Sequence, residues 1–139
     1  MIPGVESKPL KKNYEDARGY IMEILRSDDA LFSGFGQVYI STCRPGISKQ
    51  LHYHNKKTDI FFCIAGKARL VVHDLREGST KGKTEEHILS LEHPVMVRVQ
   101  PGIAHGFACL SGEEAVILTV TSVPFNPKEA DDFHIDMTA

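Results

Sequence analysis

From residue 37 onward, apolar and polar positions alternate with a period close to two, in short runs separated by Gly, Pro, Asn and Asp. Residues 37–42 (QVYIST), 60–64, 68–73, 87–91, 94–99, 105–110 and 115–122 each read as a β-strand, rich in Val, Ile, Phe and Thr. Turn signals lie at Pro45-Gly46, His93-Pro94, Pro101-Gly102 and Ser111-Gly112. The tight Gly66-Lys67 turn between two apolar runs predicts a hairpin joining 60–64 to 68–73. Residues 74–84 are a polar loop. The pattern before residue 37 is weaker. Residues 1–12 read as a leading arm with a turn at Pro3-Gly4, 13–19 as a polar turn, 20–25 (YIMEIL) as a strand, and 27–32 as one short helical turn. Residues 124–139 read as a polar, irregular tail. No amphipathic helix of useful length is present. Many short strands at near-regular spacing predict an all-β sandwich or small barrel.

Composition narrows this little. A chain of 139 residues suits one domain, spanning 1–139. A net charge of −2, with scattered lysines, removes any electrostatic case for nucleic acid or an anionic membrane. No apolar run is long enough to span a bilayer. Residues 1–12 lack the apolar stretch of a signal peptide, so a cytoplasmic location is expected. Cys43, Cys63 and Cys109 form no CxxC pair, which fits reduced thiols. Cys43 and Cys63 read as buried bystanders.

The chemistry concentrates in residues 45–66 and 98–109. His52 and His54 are two residues apart and so share one strand face. Two imidazoles on one face need polar partners, which favours a site over a core. The spacing Gly46-x5-His52-x-His54-x4-Asp59-x6-Gly66 resembles the first cupin motif, with Asp in the usual place of Glu. Pro101-Gly102-x2-His105-x3-Cys109 resembles the second, with Cys in the usual place of Asn. The resemblance implies a double-stranded β-helix, the cupin jelly roll. It also implies one candidate metal set, His52, His54, Asp59 and His105, whose imidazole and carboxylate donors suit Zn, Fe, Mn or Ni without choosing among them.

A more extensive likeness runs from about residue 14 to 128. Asp16, Arg18, Gly19 and Glu23 (DxRGxxxE), Gly36-Gln37, Leu51-His52-Tyr53, residues 74–79 (DLREGS), Gly82-Lys83, residues 101–107 (PGIAHGF) and residues 125–127 (FNP) occur in the order and spacing of dTDP-4-dehydrorhamnose 3,5-epimerases. This resemblance implies a homodimer acting on a nucleotide-linked (dTDP-linked) 4-keto-6-deoxy sugar without a required cofactor. It implies His52 as general base, with His105 in the same pocket, and Arg18 and Glu23 on the nucleotide, often across the dimer. Gln37, Lys49, His54 and Phe107 are further substrate-contact candidates. A C4 ketone acidifies the protons on C3 and C5, and neutral imidazole removes such a proton at physiological pH.

The chain departs from that family at specific positions. The family's catalytic tyrosine falls near Thr119. Its lysine by the keto oxygen falls near Asp59, with Lys57 as a nearby substitute. The arginine before the base becomes Lys49, which is poorer at bidentate phosphate contacts. Asp136 is the nearest match to the tail carboxylate that orients the base. The related nucleotide-sugar 3,4-ketoisomerases carry an HxH like His52-Tyr53-His54 and an inward tyrosine from the preceding strand. Tyr39 is therefore the candidate acid. His73, His87, His93 and His134 read as surface or structural. The expected function is an epimerase or isomerase. The alternatives are a metal-dependent cupin of unassigned activity and a non-catalytic sugar- or nucleotide-binding cupin.

Overall fold

The architecture is decided where the chain leaves one sheet for the other. A computed structural model describes residues 1–139 as twelve strands and no helix. In chain order these are β1 (Val5–Pro9), β2 (Tyr14–Asp16), β3 (Gly19–Ile21), β4 (Gln37–Cys43), β5 (Gln50–Tyr53) and β6 (Asp59–Ala65). They are followed by β7 (Lys67–Asp74), β8 (Thr84–Ser90), β9 (Val95–Val99), β10 (Ile103–Cys109), β11 (Ala115–Thr121) and β12 (Phe133–Thr138). One sheet has the order β1-β9-β6-β11-β4, and the other β12-β5-β10-β7-β8. A small β2-β3 hairpin stands apart. Every pairing is antiparallel. This is the all-β jelly roll of the cupins, and its core lies between the two sheets.

Strand β11 shows how the alternation is used. Ala115, Ile117, Thr119 and Thr121 are buried, while Val116, Leu118 and Val120 are half-covered on the other face. The inward residues join Phe61, Cys63, Leu70, Val72, Val97 and Phe107 in the main core cluster or line its open end. Cys43, Cys63 and Cys109 are all free and buried.

Several expectations change. The Gly66-Lys67 turn does not make a hairpin: β6 and β7 belong to opposite sheets, and the turn is a corner between them. Gly66 has φ of +69°, and a Cβ there would sit 2.7 Å from the Glu114 carbonyl oxygen and 2.8 Å from Ala115 Cα. Only glycine fits so close a corner. The leading arm is a strand, because β1 zips along β9 from Val5 opposite Val99 to Pro9 opposite Val95. Residues 14–21 form the β2-β3 hairpin, and the strand expected over 20–25 stops at Ile21. Residues 27–32 make turns closed by Asp29 N–H to the Arg26 carbonyl and Phe32 N–H to the Asp29 carbonyl, not a helical turn. The tail contains β12, paired to β5. Its Ile135 and Met137 pack with Leu51, Val71 and Ala104 on the outer face of the second sheet.

The polar loop after β7 is organised by one carboxylate. Asp74, 1% exposed, accepts from Arg76 Nε (2.8 Å) and Nη2 (2.9 Å), from the Arg76 backbone N–H (3.0 Å) and from Thr80 Oγ1 (2.6 Å). Arg76 also donates to the Pro3 carbonyl, tying the arm to the loop. The Arg76 guanidinium holds the Asp74 carboxyl well below its usual range, against the opposing effect of burial. A carboxyl depressed by folding contributes stability that is complete above its unfolded pKa and is lost as the pH falls through the folded value. Asp74→Asn should therefore cost about 3 kcal/mol at neutral pH. It should also lose part of the fall in stability that the natural chain shows below about pH 4. Denaturant melts from neutral to acid pH measure both effects.

Candidate active site

The site stands at one end of the barrel and draws on both sheets. His52 is the third residue of β5 and lies directly across from His105 of β10. His54 follows β5, and Asp59 opens β6 in the opposing sheet. The His52 and His105 rings are 4.5 Å apart between centroids, His52 and His54 5.2 Å, and His54 and His105 5.4 Å. The ligating nitrogens of the three all lie within 4.8 Å of one another.

Asp59 is 1% exposed, and its Oδ2 lies 3.1 Å from His54 Nε2 and 3.3 Å from His105 Nε2. These are ion-pair distances, but the N–H directions miss the oxygen. Both carboxylate oxygens and His105 Nε2 are left without a well-directed hydrogen bond. Burial alone would raise the Asp59 pKa, yet His105 and His54 together pull it far below the ordinary range.

The histidines are differentiated by their partners. His105 donates Nδ1–H to the Ile103 carbonyl at 3.1 Å, which turns Nε2 towards Asp59. His54 donates Nδ1–H to the Asp131 carbonyl at 2.5 Å while its Nε2 faces Asp59. With both nitrogens facing acceptors, the imidazolium is the matching form. Burial works against that charge, but Asp59 outweighs it and the His54 pKa is raised. His52 moves the other way. Burial, then the neighbouring His105 and His54, bring it down to about 3, and Asp59 offsets this only in part. At neutral pH His52 is a bare imidazole beside a His54–Asp59 contact that favours the His54 imidazolium.

His52 lines a cavity of about 160 Å³ with Tyr39, Ser41, Lys49, Gln50, Phe61, Gly106, Phe107 and Thr119. Tyr39 lies directly opposite Thr119 in the β4–β11 register. Burial and the Asp59 charge raise the phenol's pKa, keeping it protonated. Phe107 stands edge-on to Phe61, with centroids 5.1 Å apart. The Lys49 ammonium donates to the Thr42 carbonyl at 2.5 Å.

Other sequence candidates are placed elsewhere. Arg18 is folded onto Asp16 (Nη2–Oδ2 2.7 Å) in the β2-β3 hairpin. Glu23 lines a separate cleft with Lys8, Asn13 and Arg26. Gln37 accepts the Phe125 N–H at 2.8 Å, pinning the turn at 125–127. Lys57 lies in the turn before β6 and lines a neighbouring cleft with Val123 and Phe125, not the His52 cavity. Its charge reaches His54 and weakly opposes protonation there. Cys109 bonds at its own end of β10, to Glu113 and Ser111.

Two residues were missed. His134, read as surface or structural, is the cross-strand partner of His52, with ring centroids 5.9 Å apart. Asp131 holds His54, as above, whereas Asp136 makes no polar contact with His52. The signal was present: in residues 133–138 (FHIDMT), Phe, Ile and Met alternate with His, Asp and Thr, which is a strand pattern.

In chelator-treated protein, the His52 ring should stay neutral at about pH 5, where an ordinary histidine is mostly charged, and His54 should still be charged at about pH 7. Asp59→Asn should abolish the second behaviour. Ring-nitrogen NMR titration reads both, and a His54 that titrates normally beside an intact Asp59 would contradict the charge assignment.

A profile of the family described as the polysaccharide biosynthesis C-terminal domain matches residues 14–133. The spore coat polysaccharide biosynthesis protein SpsL of Bacillus subtilis is 38% identical over 136 residues, covering 97% of this chain and 89% of SpsL. The dTDP-4-dehydrorhamnose 3,5-epimerase of Mycobacterium tuberculosis, an isomerase, is 29% identical over 122 residues, covering 81% of this chain; the chain spans only 60% of that enzyme. The crystal structure of the dTDP-6-deoxy-D-glucose-3,5-epimerase RmlC of Legionella pneumophila, in complex with dTDP-4-keto-L-rhamnose, superposes with a TM-score of 0.84 at 27% identity, covering 96% of this chain and 73% of that one. With a profile match across most of its length and SpsL alike nearly end to end, the chain belongs to the polysaccharide biosynthesis C-terminal domain family, a cupin-fold group related to the dTDP-4-dehydrorhamnose 3,5-epimerases.

Proposed function

We propose that this chain is an epimerase or isomerase of a nucleotide-linked 4-keto-6-deoxy sugar, with His52 as the base. One observation carries the reading: a neutral imidazole in the wall of a small cavity, facing a phenol and backed by a His54–Asp59 contact that favours the His54 imidazolium. The C4 ketone makes the C3 and C5 protons acidic, and His52 Nε2 or Nδ1 takes one of them. The depressed pKa makes His52 by itself a weak base. Negative charge developing on the enolate beside it restores its proton affinity as the proton moves. His54, whose two ring nitrogens are taken by the Asp131 carbonyl and Asp59, does not reach into the His52 cavity, and its imidazolium would offset the enolate charge only as a nearby cation. Inversion then needs an acid on the opposite face. The related enzymes place a tyrosine near Thr119. Here Tyr39 lies directly across from Thr119, so a phenol enters the same wall from the adjacent strand.

A second reading is favoured by the donor set. Three imidazole nitrogens within 4.8 Å and a buried carboxylate with unfilled acceptor capacity fit a divalent first-row ion held by His52, His54, Asp59 and His105. Such an ion would act as a Lewis acid on the ketone. A His52 committed to a metal has no lone pair for a proton, so the two readings exclude each other at that residue. In the third alternative, nucleotide-sugar binding without chemistry, dTDP-sugar would bind with no exchange.

His52→Asn should lower solvent deuterium exchange at C3 or C5 of a dTDP-4-keto-6-deoxy sugar by about 10²–10⁴-fold in a folded protein. Tyr39→Phe should retain exchange and lose the inverted product. Undiminished exchange in the first variant would remove His52 as base. Elemental analysis of tag-free protein, with exchange assayed before and after chelation, separates the readings. Near-stoichiometric metal, lost in His54→Ala together with activity, supports the metal site. Metal-free protein with chelator-indifferent exchange supports the imidazole base.

A further inference from the structure

On its way back along β5, the tail crosses the turn between β5 and β6, and one residue fastens it there. The Asp131 carboxylate accepts the backbone N–H of Asn55 through Oδ1 at 2.7 Å and that of Lys56 through Oδ2 at 2.8 Å. The same residue's carbonyl accepts His54 Nδ1–H at 2.5 Å. These backbone bonds hold the Asp131 carboxyl below its usual range although burial opposes it. Asp131 does not line the His52 cavity.

The arrangement is a clamp. A histidine with nothing on Nδ1 is free to turn its ring over and offer either nitrogen to a carboxylate. A carbonyl fixed at Nδ1 removes that choice and commits Nε2 to Asp59. The carbonyl can do this only if the chain carrying it is immobile. The carboxylate supplies that by gripping two successive N–H groups of the very turn in which His54 sits. Ring and carbonyl are thereby referenced to the same piece of backbone.

We propose that Asp131 is a positioning residue: its side chain locks the C-terminal tail to the 55–56 turn so that its carbonyl orients His54 towards Asp59. This inference rests on the reading of the His52 cavity as the active site, but the orientation of His54 can be measured without any substrate.

Asp131→Ala removes the grip and leaves the carbonyl in place, so its effect reports anchoring. Asp131→Asn keeps one acceptor and should be intermediate. Two measurements are needed. The His54 Nδ1–H resonance, protected from solvent exchange in the natural chain, should exchange rapidly or vanish in the alanine variant, with the melting temperature of the asparagine variant close to that of the natural chain. For the dTDP-4-keto-6-deoxy sugar, kcat of deuterium exchange should fall by about 10–100-fold in the alanine variant and less in the asparagine variant, with KM nearly unchanged. A protected His54 signal in Asp131→Ala, or losses of kcat that merely follow loss of folded protein in both variants, would overturn the proposal. If the natural chain exchanges no deuterium but the His54 signal still depends on Asp131, the epimerase reading fails and the positioning role stands.

Discussion

The carboxylate of Asp59 is the constraint on which the site depends. Removing a carboxylate from water costs several kcal/mol even after relaxation, and a buried one persists only beside positive charge or donors. At 1% exposure, Asp59 finds these only across the sandwich, in His54 and His105 of the second sheet. The two sheets are therefore held at this end by electrostatics as well as by apolar packing. The geometry also leaves both oxygens poorly directed, so the carboxylate retains capacity for one more positive or donating group. The positive charge that Asp59 needs is supplied from the side of the opposing sheet, by His54 just after β5.

The partners of each ring explain how His52 and His54 differ. His54 and His105 each meet an acceptor at both nitrogens, and Asp59 raises the His54 pKa. His52 has burial and three imidazole neighbours but no close acceptor, and stays neutral. One carboxylate favours the cation of one ring, and burial with the neighbouring rings keeps the other a neutral base.

The tail is as much a part of the site as the strands. β5 is only four residues long and pairs with β10 on one side; without a partner its other edge would expose unpaired backbone. β12 covers that edge. The covering is fastened by Gln50 Nε2 to the Ile135 carbonyl at 2.8 Å and by Ala139 N–H to the Lys49 carbonyl at 2.9 Å. It brings His134 beside His52, and through Asp131 it reaches His54. Packing of Ile135 and Met137 on Leu51 and Val71 ties this local order to an apolar cluster separate from the main core.

The period-two alternation from residue 37 onward determined the strands, and the spacing of His52, His54, Asp59 and His105 between their Gly and Pro-Gly turns carried the resemblance to the cupin motifs from which the fold family was read. The polar pattern of the tail was also written there: Phe133, Ile135 and Met137 alternate, but a lone short run next to Pro, Asn and Asp is weak local evidence, and only pairing to β5 makes it a strand. Gly66 was legible as a turn, but not as a corner between sheets, since the same two-residue signal serves a hairpin; the approach of Glu114 and Ala115 from a distant part of the chain decides between them. Protonation was illegible altogether. Whether His52 or His54 carries the charge depends on which ring meets the Asp59 carboxylate and the Asp131 carbonyl, and those partners lie 5 to 77 residues away along the chain. Residue type and spacing place a histidine on a face; only the folded sheets decide what it faces.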